Sequence, residues 1–196
     1  MTTMSSRDRL LAAAARLFDE KGYGAVTVGE IAQAAKVSRP TAYRHFADKE
    51  DMLWVLTEQA GEHVLSIIAR VASSSASPSG QIRELVFNHA RGFTEHRVVF
   101  RLALRTQLEL NPVRRKELLE AQRRYLDFTA NVIDAGIRQG EFRPVHPKTC
   151  AEGLLAMVGS VIDWFHPKGP LTLEEVADQF VELALKGLQL NGAESD

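Results

Sequence analysis

Apolar positions recur at helical spacing along nearly the whole chain, interrupted by short polar, Gly or Pro breakers. Leu10, Leu11, Ala14, Leu17 and Phe18 predict a first helix, capped by Ser6 and stopped by Gly22 and Gly24. Thr27-Val28-Gly29-Glu30 has the form of a capping box, with a hydroxyl at the N-cap and a carboxylate three residues on. It opens a short helix to about Ala35 with Ile31, Ala32 and Ala35 on its inner face. Ser38 caps a third helix, with Pro40 in the first turn where a missing N–H is harmless, and this helix ends near His45. Asp48 caps a long fourth helix carrying Leu53, Leu56, Ala60, Val64, Ile67 and Ile68. The stretch 73–80, SSSASPSG, reads as a flexible connection. Beyond it helices are predicted at about 81–95, 97–109, 113–138, 148–165 and 173–189, punctuated by Asn111-Pro112, Gly140 to Pro147 and Pro167 to Pro170. No β-branched alternation is long enough for a pair of strands, and no repeat is visible. The pattern predicts an all-α fold of about nine helices.

Composition narrows the picture. The chain has 196 residues, 45% hydrophobic and 25% charged, which excludes collagen-like, low-complexity or wholly disordered chains. One cysteine, Cys150, excludes a disulfide framework and any Cys-rich metal site. The longest apolar run, Leu154 to Ile162, is about half of what a membrane-spanning helix needs. Met1 to Arg9 lacks the basic-then-apolar layout of a secretory signal, so a cytoplasmic location is expected. Formal net charge is −1, which taken whole argues against a nucleic-acid partner. The average conceals an asymmetry. Residues 1–50 hold eight basic against six acidic side chains, whereas Lys36, Arg39, Arg44 and Lys49 face only Asp48 in a 14-residue segment.

That basic segment coincides with two short helices joined by Lys36-Val37, the proportions of a helix-turn-helix. Ala32 and Ala35 are small enough for close helix crossing, Val37 can plug the turn, and Ala42 and Phe46 give the second helix an inner face. Arg39, Thr41, Tyr43, Arg44 and His45 are left to point outward. Two guanidinium forks, a hydroxyl with a methyl, a phenol and an imidazole suit base edges and phosphates.

Thr27, Ile31-Ala32, Ala35, then Val37-Ser38-Arg39-Pro40-Thr41-Ala42-Tyr43-Arg44-His45-Phe46, Lys49-Glu50 and Leu53 closely resemble the TetR family of bacterial one-component regulators. The resemblance implies that Thr27, Tyr43, His45 and Lys49 hold phosphates, while Arg39, Thr41 and Arg44 lie against base edges. Ser38 caps the reading helix. Lys36 stands where the family often has Gly, so its backbone angle must be tolerated, and its amine adds a phosphate contact. Gly29 stands where some relatives carry a base-reading Arg, which shifts specificity onto Arg39 and Arg44. The implied division is a helix-turn-helix DNA-binding domain at 1–50, a ligand-binding and dimerisation domain at 51–190 and a flexible tail at 191–196.

For the larger part, Leu154, Leu155, Val158, Val161 and Ile162 form one apolar stripe; Val176, Phe180, Leu183, Ala184 and Leu188 form another. Paired across a two-fold axis they would make a four-helix bundle, with Leu155, Val158, Ile162, Phe180, Leu183 and Ala184 at a homodimer interface. The alternative is that both stripes pack only inside their own chain. Phe87, Phe93, Phe100, Leu104, Phe128, Trp164 and Phe165 are candidates to line an effector cavity, or else plain core. Arg97, Arg101 and Arg105 share one helix face that suits an acidic ligand group, or is solvated beside Glu109. Asp163-Trp164-Phe165-His166-Pro167-Lys168, followed by Glu174-Glu175-Val176-Ala177, looks like TetR-type regulators of fatty-acid and steroid breakdown, a branch that responds to acyl-CoA thioesters. In that reading Trp164 would meet adenine and Lys168 a phosphate.

An enzyme is not expected: no G-x-G-x-x-G, P-loop, G-x-S-x-G or H-E-x-x-H is present. His63, His89, His96, His146 and His166 lack metal-ligand spacing, so neither metal nor cofactor is expected. The expected partners are an operator duplex, a lipophilic or acidic effector such as an acyl-CoA, and a second copy of the chain, with no membrane. The expected function is a ligand-responsive repressor on a palindromic operator. The alternatives are an activator, an architectural DNA-binding protein without ligand, or a redox sensor through Cys150.

Overall fold

A computed structural model describes residues 4–188, and the expected tail 191–196 lies outside the described residues. The helices are α1 Ser6–Lys21, α2 Val28–Ala34, α3 Arg39–His45, α4 Lys49–Ala72, α5 Pro78–Glu95, α6 Arg97–Arg105, α7 Pro112–Arg138, α8 Pro147–Gly159, α9 Val161–Trp164 and α10 Leu173–Leu188. Short 3-10 turns cover Tyr23–Ala25 and Gln107–Glu109. No strand forms among the described residues. The nine expected helices are all present, the eighth broken at Ser160 so that its last turn is α9. The described backbone groups into two units, one made of residues up to 62 with 96–120 and the other of residues 63–95 with those from 121 on.

In the first unit, α1 packs on α2, α3 and α6, and α2 on α3. Leu10, Leu11, Ala14, Leu17 and Phe18 are buried, as their spacing predicts. Burying each of the leucines and the phenylalanine contributes about 1.5–3 kcal/mol. The cap of α1 is Ser5 rather than the expected Ser6: Ser5 Oγ accepts from the Asp8 amide, and the Asp8 carboxylate accepts from Ser5 N–H. The capping box of α2 forms as read, with Glu30 N–H donating to Thr27 Oγ1 at 3.2 Å and Thr27 N–H to Glu30 Oε2 at 2.9 Å. Ile31, Ala32, Ala35, Ala42 and Phe46 are all buried.

In the second unit, α5 is central, packing on α8, α9 and α10, while α8 also meets α10. It buries Ile82, Leu85, Val86, His89, Ala90 and Phe93. The connection before it is shorter than expected and is pinned by hydrogen bonds. Pro78 already begins α5, Ser74 Oγ donates to Glu84, and Ser79 donates its N–H and hydroxyl to Glu141. The break after Gly159 is held by Ser160, whose hydroxyl donates to the Met157 carbonyl and accepts from Trp164 Nε1. No helix among the described residues is long and apolar enough to cross a membrane.

Candidate nucleic-acid interface and effector region

The turn between α2 and α3 is built by backbone geometry. Val37 N–H donates to the Ala32 carbonyl and Lys36 N–H to that of Gln33, the paired bonds of a Schellman motif. Its left-handed position is Lys36, at φ 55°. The angle expected to be tolerated there is thus the one adopted. Ser38 Oγ then caps α3 by accepting from Thr41 N–H at 3.2 Å and meets the Thr41 hydroxyl at 2.8 Å.

Ala42 and Phe46 anchor the inner side of α3, so Arg39, Tyr43, Arg44 and His45 are turned to solvent and Thr41 is half-buried. Tyr43 is 56% exposed, unusual for an aromatic that packing alone would place. Lys36, Ser38 and Thr27 are exposed as well, so seven of the nine residues expected at DNA lie open along the turn, α3 and the start of α2. Arg39 has a defined seat. A methyl group on Gly29 would fall 2.5 Å from its Nη2, so the guanidinium lies over the bare backbone of α2.

Lys49 is placed differently. Its Nζ donates to the carbonyls of Tyr23 at 2.9 Å and Val26 at 3.2 Å, and stands 4.2 Å above the Tyr23 ring. The ammonium ties the 3-10 turn to the start of α4. The Tyr23 hydroxyl is pushed up to about 12 by burial, reinforced by the carboxylates of Glu50, Asp48 and Glu109.

Two sets of contacts absent from the sequence reading tie this head to α6 and the start of α7. Asp19 on α1 pairs with Arg101 on α6. On α4, Glu50 Oε1 accepts from the N–H and side chain of Asn111 at 3.0 and 2.8 Å, and from Arg114 at 3.3 Å. Arg114 also pairs with Asp51, whose carboxyl is held below its ordinary range by that guanidinium and by the Ala47 amide. The nearest sequence signal was the spacing of Arg97, Arg101 and Arg105, which shows a face but not a partner.

The expected effector residues are dispersed. Phe93 and Phe100 are buried, Phe128 is half-buried, and Leu104, Arg105, Trp164 and Lys168 are exposed. Arg101 is paired with Asp19 on α1. Leu104, 47% exposed, points outward rather than into a core. Among the expected dimer residues, Val158 and Ile162 are buried inside the chain itself, because α5 packs on α8 and α9. Leu155, Phe180, Leu183 and Ala184 stay accessible. Leu183 and Ala184 share an apolar groove with Cys150, Gly153, Leu154 and Met157. A polar pair missed from sequence, His89 and Tyr125, sits deep in the second unit. No His, Cys, Asp and Glu cluster among the described residues could hold a metal ion.

The chain is similar to known proteins in sequence and in fold. Residues 10–54 match the family model for bacterial regulatory proteins of the tetR family. Residues 75–188 match the one for a tetracyclin repressor-like C-terminal domain. Over 191 residues the chain is 27% identical to the HTH-type transcriptional repressor KstR2 of Mycobacterium tuberculosis, covering 96% of this chain and 95% of the relative. It is similar to the crystal structure of the TetR family regulator PfmR from Thermus thermophilus, with a TM-score of 0.84 and 32% identity over 93% of this chain and all of that one. A structure of AibR in complex with isovaleryl coenzyme A and operator DNA is similar too, at a TM-score of 0.78 and 28% identity over 91% of this chain and 97% of that one. The matched families are those of regulators, not enzymes, in line with the missing catalytic motifs. The chain therefore belongs to the TetR family of DNA-binding transcription regulators.

Proposed function

We propose that this regulator is a repressor that binds a palindromic operator as a homodimer and is released by an acyl-CoA thioester or a related lipophilic acid. The observation that carries the DNA-reading part is the exposed row Arg39, Tyr43, Arg44 and His45 on a helix whose inner side is fully packed. Arg39, Thr41 and Arg44 meet base edges; Thr27, Lys36, Ser38, Tyr43 and His45 serve phosphates and the turn. Lys49 acts at one remove, by fixing the loop that presents Thr27. The accessible residues Leu155, Phe180, Leu183 and Ala184 support the homodimer. The similarity to KstR2, named a repressor, and to AibR, solved with isovaleryl coenzyme A, supports the direction of control and the effector class. Effector binding acts on the reading head through the contacts of Asp19 with Arg101 and of Glu50 and Asp51 with Arg114. The effector shifts operator affinity by its preference for one state, typically about 1–3 kcal/mol.

Selection of operator sequences from a random pool, followed by titration of Arg39→Ala, tests the assignment. The variant is expected to lose about 1–3 kcal/mol of specific binding and to relax base choice at one position in each half-site. An unchanged sequence preference removes Arg39 from base reading.

A further inference from the structure

The second unit buries a polar pair that plays no part in the reading head. His89 on α5 and Tyr125 on α7 are 5% and 4% exposed, and His89 Nδ1 lies 3.1 Å from the Tyr125 hydroxyl. The imidazole is clamped flat: its ring stacks on Phe93 at 4.3 Å and on Tyr125 at 5.4 Å between centroids. Its other nitrogen, Nε2, is buried with no hydrogen-bond partner among the described residues. That nitrogen is directed at Gly159, the last residue of α8 before the break, where an added methyl would sit 3.5 Å from it. A buried group of this kind costs folding free energy, and a hydrophobic side chain of similar shape would have avoided the cost.

The chemistry of the pair selects what Nε2 offers. Burial, with His63 close by, keeps the ring neutral, and burial keeps the Tyr125 phenol protonated. With the phenol donating to Nδ1, the proton of the ring resides on Nε2 and one group is left unmet. With the roles reversed, both the phenol hydrogen and Nε2 would be left unmet, so the first arrangement is favoured. Nε2–H is then a rigid, uncharged donor in apolar surroundings. Such a donor matches a neutral acceptor oxygen, because burying a carboxylate there would carry a much larger desolvation cost.

We propose that His89, oriented by Tyr125, is the polar anchor of the effector site and donates its Nε2–H to the carbonyl oxygen of an acyl thioester lodged beside Phe93 and Gly159. The inference rests on the acyl-thioester reading of the effector above. Gly159 is small so that the oxygen can approach the imidazole edge.

The test uses the full-length protein with isovaleryl-CoA and its thioether analogue, in which the carbonyl is a methylene. Wild type is expected to bind the thioester at least tenfold more tightly than the thioether by calorimetry. The nitrogen-15 resonance of His89 Nε2 should shift only with the thioester. His89→Phe combined with Tyr125→Phe removes both partners of the buried bond and is expected to abolish that preference while operator binding persists. Gly159→Ala makes only ordinary contacts and covers Nε2. It too is expected to reduce the preference at least tenfold, and it decides the matter should the double variant not fold. Equal binding of both probes by wild type, or a preference intact in Gly159→Ala, overturns the anchor but leaves the effector class standing. Binding of neither probe overturns the anchor and the thioester reading together and leaves a lipophilic acid as effector, while operator binding is judged separately.

Discussion

Lys36 holds a left-handed backbone angle that a Cβ disfavours, at a cost of roughly 1–2 kcal/mol. Lys36→Gly should therefore stabilise the protein by about 1 kcal/mol, read as a higher urea midpoint, because glycine fits the Schellman position without strain. The same change should flatten the salt dependence of operator binding by about one ion, since the proposed phosphate contact is lost. His89 sets a different response. Burial, with a smaller push from His63, lowers its imidazole from 6.5 to about 3. Between those values the unfolded chain takes up a proton that the folded chain refuses. The stability present above pH 6.5 is consequently lost as pH falls toward 3, at up to about 1.4 kcal/mol per pH unit. Urea midpoints at pH 7 and pH 5 should diverge more in wild type than in the His89→Phe, Tyr125→Phe variant. Equal slopes would mean that His89 does not dominate acid sensitivity.

Between residues and the whole lie the helix junctions. Lys49, on the first turn of α4, holds the carbonyls of the Tyr23–Ala25 turn, and hydrogen bonds from a charged donor contribute about 1.5–3 kcal/mol. Lys49→Ala should lower stability by about 1–2 kcal/mol after rearrangement, with faster amide exchange at residues 23–26. An unaltered stability with a flatter salt slope would instead return Lys49 to direct phosphate contact. This junction shows what was legible beforehand. The caps at Thr27, Ser38 and Asp48 are contacts across three residues, so composition and spacing announce them, and the helical periods place nearly every helix. Arg101 with Asp19, or Arg114 with Glu50, joins residues more than 60 positions apart. No local pattern encodes such a pairing, and an exposed arginine face and an arginine committed to a partner look alike in one sequence. His89 was obscured for a related reason: only burial distinguishes it from a surface histidine, and its burial depends on α7 and α8.

For the whole molecule, the near-zero net charge averages a basic segment from Lys36 to Lys49 with a mildly acidic remainder. With the local excess as the proposed DNA contact, affinity should fall steeply with salt. Reading two half-sites needs two copies of the chain. Leu183, 62% exposed beside an apolar groove, is the most open large apolar side chain of the proposed interface. Leu183→Glu should give a monomer at micromolar concentration by sedimentation velocity and weaken operator binding at least tenfold; a persistent dimer would place the interface elsewhere. The seat of Arg39 over Gly29 carries a consequence for how such regulators diverge. Any side chain at position 29 must displace the guanidinium, yet it strikes only the far end of a flexible arm, so the fold tolerates it. With Arg39 in its proposed base-reading role, a duplicated gene can thus acquire a new operator by one substitution that re-aims the guanidinium and leaves the sequence of the rest of the head unchanged.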